Sequence, residues 1–578
     1  MCERPGKSIS LQTFPRVGLP LFMAWLICSS VADAADRPNV VLVITDDQGY
    51  GDIAAHGNPR IKTPNLDALY ARSIRCTNYH VDPTCSPTRS ALMSGRYSTK
   101  TGVWHTICGR SLMDPNELTL AEIFRANGYH TGMFGKWHLG DCYPCRPQDQ
   151  GFDHVVYHGG GGVGQTPDWW GNDYFDDTYW KNGDLYPTQG YCTDVWFREA
   201  VDYIKQVKEE PFFVYLSTNA PHGPYRVDPK YSEPYGTDAA AKFMGMITNI
   251  DENVGKLVAY LREQGLEENT LFLFTTDNGT SEAKGVGFNA GMRGQKGSQY
   301  DGGHRVPLYW HWPKGNLTGG RDVSQLAAHI DIRPTLVELL GLQEPSGPVG
   351  DGASLVPALR GDDAVLRDRT MFVHSQRILH PAKGRMCSVM TDRWRLVDRH
   401  ELYDMHADPG QSRDIASEHP EVVADLVEAY DGWWESLQPA IACDIHYQLG
   451  TPHEPRTRLT THDWLMEQSV AWDHSHIRRD DATHDVPKSG PWAVEFTQPG
   501  KYEVMVSRWP EELQRAMGAV RAELTIGDQS WTHEVAPGEA TTVFVVDIPA
   551  GKTRLQPALF DANRQAIGAY FAYVRILP

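Results

Sequence analysis

The sequence has no basic excess: 54 Lys and Arg stand against 73 Asp and Glu, a formal net charge of −19 over 578 residues. That balance argues against a nucleic-acid binder with basic stripes, and any anionic ligand must be met by a local cluster of cations. Cysteine is scarce. Beyond the N-terminal segment, Cys76, Cys85, Cys108, Cys142, Cys145, Cys192, Cys387 and Cys443 are too dispersed for a disulfide-stapled scaffold. The lone CxxC, Cys142 and Cys145, has no second pair to complete a zinc site and reads as a local disulfide or two free thiols. No apolar run after the N-terminus is long enough to span a bilayer. Internal repeats and low-complexity tracts are also missing. The Gly-rich run HGGGGVG (158–164) lacks the Lys-Ser/Thr of a phosphate-binding loop, so it is expected as a flexible loop near a pocket.

The first residues have a different character. Lys7 and Arg16 precede VGLPLFMAWLICSSV and a small-residue stretch, ADAAD, the layout of a cleavable secretory signal over residues 1–34 with cleavage after Ala34. Ile27 is too bulky before Cys28 for a lipid-anchored cysteine. The expected product is exported, periplasmic or secreted, with no membrane span.

Apolar runs recur, and each is followed at once by polar residues. NVVLVIT (39–45) leads to Asp46 and Asp47, and TLFLFTT (270–276) to Asp277 and Asn278. Between them YHTGMFG leads to Lys136 and His138, and PFFVYLSTNAP to His222. Continuous apolar strands separated by helical stretches predict an α/β fold, a large mostly parallel sheet sandwiched by helices. Sites in such sheets lie at the carboxyl ends of the strands. Carboxylates and an amide oxygen gathered there without thiolates suit a hard divalent cation.

In PTCSPTRSALMSGR (83–96), Pro87 suits the first turn of a helix, Ser86 is placed to cap it, and Gly95 closes it. Cys85 then sits at a helix N-terminus, with Arg89 one turn along. Such a Cys is either a small buried apolar residue or a nucleophile.

These residues carry a resemblance. CSPTRSALMSGR, with DDQGYGD (46–52), GKWHLG (135–140), APH (220–222), DNG (277–279) and GQKGSQYDGGHRVP (294–307) in family order, resembles the formylglycine-dependent sulfatases of the alkaline-phosphatase superfamily over about residues 37–437. The resemblance implies an arylsulfatase-type hydrolase in which a separate maturation enzyme oxidises Cys85 to formylglycine (3-oxoalanine). One hydroxyl of the aldehyde hydrate attacks sulfur, and the other drives release of sulfate from the sulfo-enzyme intermediate. By similarity, Asp46, Asp47, Cys85, Asp277 and Asn278 surround one divalent cation, expected to be Ca²⁺. Arg89 hydrogen-bonds the modified side chain, Lys136 and Lys296 meet the sulfate oxygens, His138 partners the formylglycine hydroxyl, and His222 protonates the departing alcohol. Asp301 stands where Glu is expected, which questions the support of its loop, and the NGT sequon at 278–280 is expected to be unused.

The resemblance places the catalytic domain at 35–345 and a small α+β C-terminal subdomain at 346–438. From 439 to 578, period-2 segments between turn signals predict a β-sandwich accessory domain. Substrate contacts are nominated at Trp104, His105, Trp169, Trp170, Arg226, His304 and His374, because aromatic faces stack on sugars and Arg or His reads anionic groups. The first functional reading is hydrolysis of a sulfated saccharide or aryl sulfate. The alternatives are a phosphonate monoester or phosphodiester hydrolase of the same superfamily, and a catalytically silent binder of sulfated glycans. The silent binder predicts loss of Cys85, Arg89, Lys136, His138, His222 or Lys296, and all six are present.

Overall fold

The segment Asn39–Thr45 is buried along its whole length, and its side chains alternate between two cores. Val40, Leu42 and Ile44 pack with Ile123 and Phe124 of the helix Leu120–Ala126 and with Ile332 and Leu336 of Ile332–Leu340. Val41 and Val43 pack with Val195, Trp196 and Ala200 of Cys192–Val207 and with Ile250, Val254 and Leu257 of Ala239–Glu263. Apolar contacts on both faces explain why the segment carries no polar alternation. The computed structural model describes residues 37–282, 288–362, 366, 368–479 and 486–578. The leader expected over residues 1–34 lies outside them. Among the described residues no helix is long and apolar enough to cross a membrane.

This strand is central to a ten-stranded sheet. It pairs in parallel with Phe212–Ser217 and Thr270–Thr276, while His130–Lys136 pairs in parallel with Phe212–Ser217 and His154–His158. Antiparallel strands flank this parallel centre, Leu308–His311 on one side and Thr178–Lys181 and Asp184–Pro187 on the other, so the sheet is mixed. Register decides what its edge presents. Thr45 lies opposite Thr276, and Ser217 lies opposite both Ile44 and Gly135. The residues that follow, Asp46, Lys136 and Asp277, therefore emerge at one level.

Downstream, Met371–His374, Cys387–Met390, Trp394–Val397 and Glu401–Asp404 form an antiparallel sheet covered by the helix Pro420–Ile441 through Tyr430, Trp434 and Leu437. Two further sheets complete the chain, a six-stranded one holding Trp492–Phe496 and Gly551–Phe560 and a four-stranded one holding Gly500–Ser507 and Thr542–Ile548. Thr542–Ile548 alternates buried and exposed residues throughout, as a strand with one solvated face must.

The core between these last sheets extends to residues that lie between 107 and 145. Ile107, Cys108, Leu112, Cys142 and Cys145 share it with Tyr447, Trp464 and Trp492. The described cysteines are all free thiols, and Cys142 Sγ donates to the Arg458 carbonyl at 3.2 Å. The CxxC pair is thus packing in the core that these loops share with the last two sheets. Trp464, fully buried, lies 5.8 Å from the Trp492 ring and 6.1 Å from that of Tyr570. Trp464→Ala is expected to cost about 3–5 kcal/mol in urea unfolding, and a loss below about 1 kcal/mol would contradict a shared core.

Candidate active site

The helix Cys85–Ser94 is buried at every position, which places its N-terminus beneath the sheet edge. It starts at Cys85 rather than after a Ser86 cap. Ser86 Oγ instead donates to the His138 carbonyl at 2.7 Å, and Thr84 is the residue before the first turn, so the capping expected of Ser86 is not made. Gly95 ends the helix in the left-handed region at φ 68°, where an added Cβ would fall 2.9 Å from Arg333 side-chain atoms.

Arg89, one turn in, is fully buried and forks onto Asp277 Oδ2, with Nη2 at 2.7 Å and Nε at 3.2 Å. Burial opposes its charge most strongly, but Asp277, Tyr215 and Asp46 together override burial and raise the guanidinium's pKa. Arg89 also bonds Ser217 Oγ and the Lys136 carbonyl, tying three strand ends to the helix. Lys136 Nζ reaches Asp46 Oδ2 at 2.7 Å, and Lys296 Nζ reaches Asp47 Oδ1 at 2.6 Å. Burial, then the neighbouring Asp277 carboxylate, pushes the Asp46 carboxyl well above the usual range despite Lys136. Burial is also the largest influence on Asp47, but Lys296, His222 and the Asn278 hydrogen bond together override it and hold that carboxyl well below the usual range.

The donor set fits a hard cation. Among the described residues Asp46 Oδ1 and Asn278 Oδ1 are buried with no hydrogen-bond partner, and ligand atoms of Asp46, Cys85 and Asp277 lie within 4.8 Å of one another. Buried oxygens without partners are costly unless something positive satisfies them. Asp47 adopts φ 65° and His138 φ 61°, left-handed conformations that non-glycine residues seldom hold and that concentrate at functional sites. Asn278 is fully buried, so the NGT sequon is out of reach of a glycan.

Cys85 opens onto a cavity of about 440 Å³ that also receives His138, His222, Lys296 and His105. Lys136 is fully buried behind it. His138 Nε2 donates to the Thr106 carbonyl at 2.8 Å, which leaves Nδ1 as an acceptor with no partner among the described residues. Burial, then Lys136, drives its pKa far down. His222 Nδ1 similarly donates to the Gly223 carbonyl at 2.6 Å, and burial, then Lys296, lowers this imidazole to about 3. The Gly-rich run closes over His138: a Cβ on Gly161 would lie 2.4 Å from its ring. That segment is a close-packed support, not the flexible loop expected of its composition.

Of the nominated substrate residues, only His105 lines this cavity. Trp104 is buried, with its indole N–H donating to the Ile378 carbonyl. Trp169 is half-buried away from the lining, Trp170 packs on His474 and Trp509 of the last domain, and Arg226 is paired with Asp173 at 2.6 Å. His374 bonds Thr99 Oγ1 in the interior. His304 lies 2.9 Å from His80, beside the buried Asp301–Arg395 pair, and that pair supplies the loop support questioned for Asp301. Sequence reading missed Thr106, Arg377 and Trp472, which line the cavity, and His462, whose ring lies 5.7 Å from that of His138. No local pattern marks them, because their partners are distant in sequence, 32 residues away for Thr106 and hundreds for His462.

Replacing Arg89 with Leu strands Asp277 as a buried, unpaired carboxylate. Arg89→Leu is expected to lower unfolding free energy by about 3–5 kcal/mol in urea, and a change under about 1 kcal/mol would contradict the pairing.

Comparison with known proteins gives this arrangement a family. The pattern of the family described as Sulfatase matches residues 38–342, and that described as N-sulphoglucosamine sulphohydrolase, C-terminal, matches residues 295–431. N-acetylgalactosamine-6-sulfatase of Canis lupus familiaris is 32% identical over 371 residues, covering 59% of this chain and 69% of that protein. Arylsulfatase A of Homo sapiens is 28% identical, covering 71% and 90%. Among solved structures, Ps i-CgsB in complex with k-i-k-neocarrahexaose superposes with a TM-score of 0.63 at 27% identity, covering 69% of this chain and 92% of that one. The chain belongs to the sulfatase family and is a sulfuric ester hydrolase.

Proposed function

We propose that this sulfuric ester hydrolase is an exported enzyme, periplasmic or secreted, that removes sulfate from a sulfated saccharide. The observation that carries the reading is Cys85 at the floor of the cavity, at a helix N-terminus and against the Asp46 and Asp277 carboxylates. We propose residues 35–345 as the catalytic domain, 346–438 as its C-terminal subdomain and 439–578 as the accessory β-domain.

Asp46, Asp47, Asp277, Asn278 and the side chain at position 85 would hold one divalent cation, with Ca²⁺ favoured by the all-oxygen protein donors. When bound, it supplies positive charge that, together with the helix terminus, lowers the proton affinity of a hydroxyl at position 85. Conversion of Cys85 to formylglycine by a maturation enzyme, followed by addition of water to the aldehyde, would provide that hydroxyl. Every other task falls to the chain. His138 Nδ1, the free acceptor, takes a proton from the side chain at 85, because Nε2 is committed to Thr106. Lys296, at the cavity wall, draws in the sulfate oxygens, and Lys136 holds Asp46 from behind. His222 Nε2 has no proton to give while neutral, since Nδ1 holds the proton for the Gly223 carbonyl. Entry of an anionic sulfate offsets Lys296 and raises the proton affinity of His222, the direction required of an acid for a poor alcohol leaving group.

Cys85→Ala is expected to remove nearly all turnover of 4-nitrophenyl sulfate with little change in Tm; activity near wild type would contradict the role of position 85. A clear preference of the wild-type enzyme for the matching phenylphosphonate would overturn the sulfate assignment. Chelation with EGTA is expected to abolish turnover and lower Tm, and Ca²⁺ at about 100 times its Kd is expected to restore about 2.7 kcal/mol of stability. Full activity and an unchanged Tm after complete chelation would refute the cation site.

A further inference from the structure

The wall of the Cys85 cavity continues into the last domain, beyond residue 431, where both matched family patterns have ended. Met466, Glu467, Ser469 and Trp472 line it, following the strand Thr457–Thr460, and Arg377 enters from the subdomain between Met371–His374 and Cys387–Met390. The 466–472 segment is fixed to catalytic-domain loops. Cys108 N–H donates to the His462 carbonyl at 2.8 Å, Thr166 N–H to the Trp472 carbonyl at 2.9 Å, and His474 N–H to the Gly164 carbonyl at 3.0 Å.

The lining has the mixed character that a sugar ring requires. Trp472 is half-buried, with its ring edge-on to His476 at 4.8 Å, while Glu467 and Ser469 are exposed polar groups beside it. An indole face covers the C–H side of a pyranose, and carboxylate and hydroxyl groups meet its hydroxyls. Arg377 adds charge. It holds a left-handed φ of 39°, is exposed, and has no hydrogen-bond or ion-pair partner for its guanidinium among the described residues. A planar cation held at a cavity rim in this way matches a planar or tetrahedral oxyanion.

We infer that Arg377 and the 466–472 segment form a saccharide subsite next to the scissile sulfate, Trp472 stacking on a sugar ring and Arg377 pairing with a second anionic substituent of the glycan. This rests on the proposed saccharide sulfatase activity. The last domain then acts at the reaction centre itself, by selecting which sulfated polymer enters it.

The test compares wild type, Trp472→Ala, Trp472→Phe and Arg377→Ala on 4-nitrophenyl sulfate and on defined sulfated tetrasaccharides carrying a second sulfate, a uronate carboxylate or no second anion. Trp472→Ala is expected to raise KM for the tetrasaccharides about tenfold more than for 4-nitrophenyl sulfate, with kcat little altered, and Trp472→Phe is expected to recover part of the loss. Arg377→Ala is expected to erase the preference for a second anion, and the arm that loses most identifies sulfate or carboxylate as its partner. Equal losses on both substrate types, or none, would overturn the subsite. Wild type that cleaves 4-nitrophenyl sulfate but no tetrasaccharide would overturn it too, while leaving the sulfatase assignment intact. Enzyme with a verified aldehyde at position 85 that cleaves neither would overturn the reading beneath it.

Discussion

Three carboxylates buried at one edge of a sheet repel one another, and the way this repulsion is balanced governs the rest of the structure. Parallel register brings Asp46 and Asp277 out at one level, with Asp47 beside them. Water cannot screen them there, so fixed charges must. Arg89 takes Asp277, Lys136 takes Asp46 and Lys296 takes Asp47, each from a different segment. Two buried oxygens, on Asp46 and Asn278, are left without a hydrogen-bond partner among the described residues. Helix, strand ends and the loop that carries Lys296 are thus joined by one charge balance, and the residue at position 85 lies against it.

The same economy of position explains the histidines. His138 is locked by Thr106 on one nitrogen, roofed by Gly161 and flanked by His462, so its free nitrogen has one direction in which to act. Its left-handed backbone is tolerable because packing on every side over-determines it. Part of that packing comes from the last domain, whose core includes Ile107 and Cys108, beside Thr106 in the chain. The β-domain is therefore continuous with the catalytic centre in packing as well as in the cavity wall.

Much of this was legible in the sequence, for reasons that differ by residue. Asp46, Lys136, His222 and Asp277 could be read because each follows an apolar run, and topology places such residues at one edge. Cys85 and Arg89 were legible through a local motif. Ser86 was misread as a cap because the competing acceptor, the His138 carbonyl, is distant in sequence. None of the nominated tryptophans, Trp104, Trp169 and Trp170, lines the cavity, for a related reason: composition identifies an aromatic but not its partner, and Trp104 and Trp170 are occupied by packing. Arg377 and Trp472 were invisible because the cavity they line joins segments no local periodicity connects. Fold class was accessible because apolar strands buried on both faces write their environment into every position, whereas the antiparallel flanks, which make the sheet mixed, leave no such mark.

The account comes to rest on the chemical state of one side chain. Peptide mass spectrometry of the 83–96 segment from active, purified protein, with turnover measured on the same preparations, tests it most directly. The account predicts an aldehyde at position 85 and activity proportional to the fraction converted. Full activity from protein that carries an unmodified thiol at that position would contradict it.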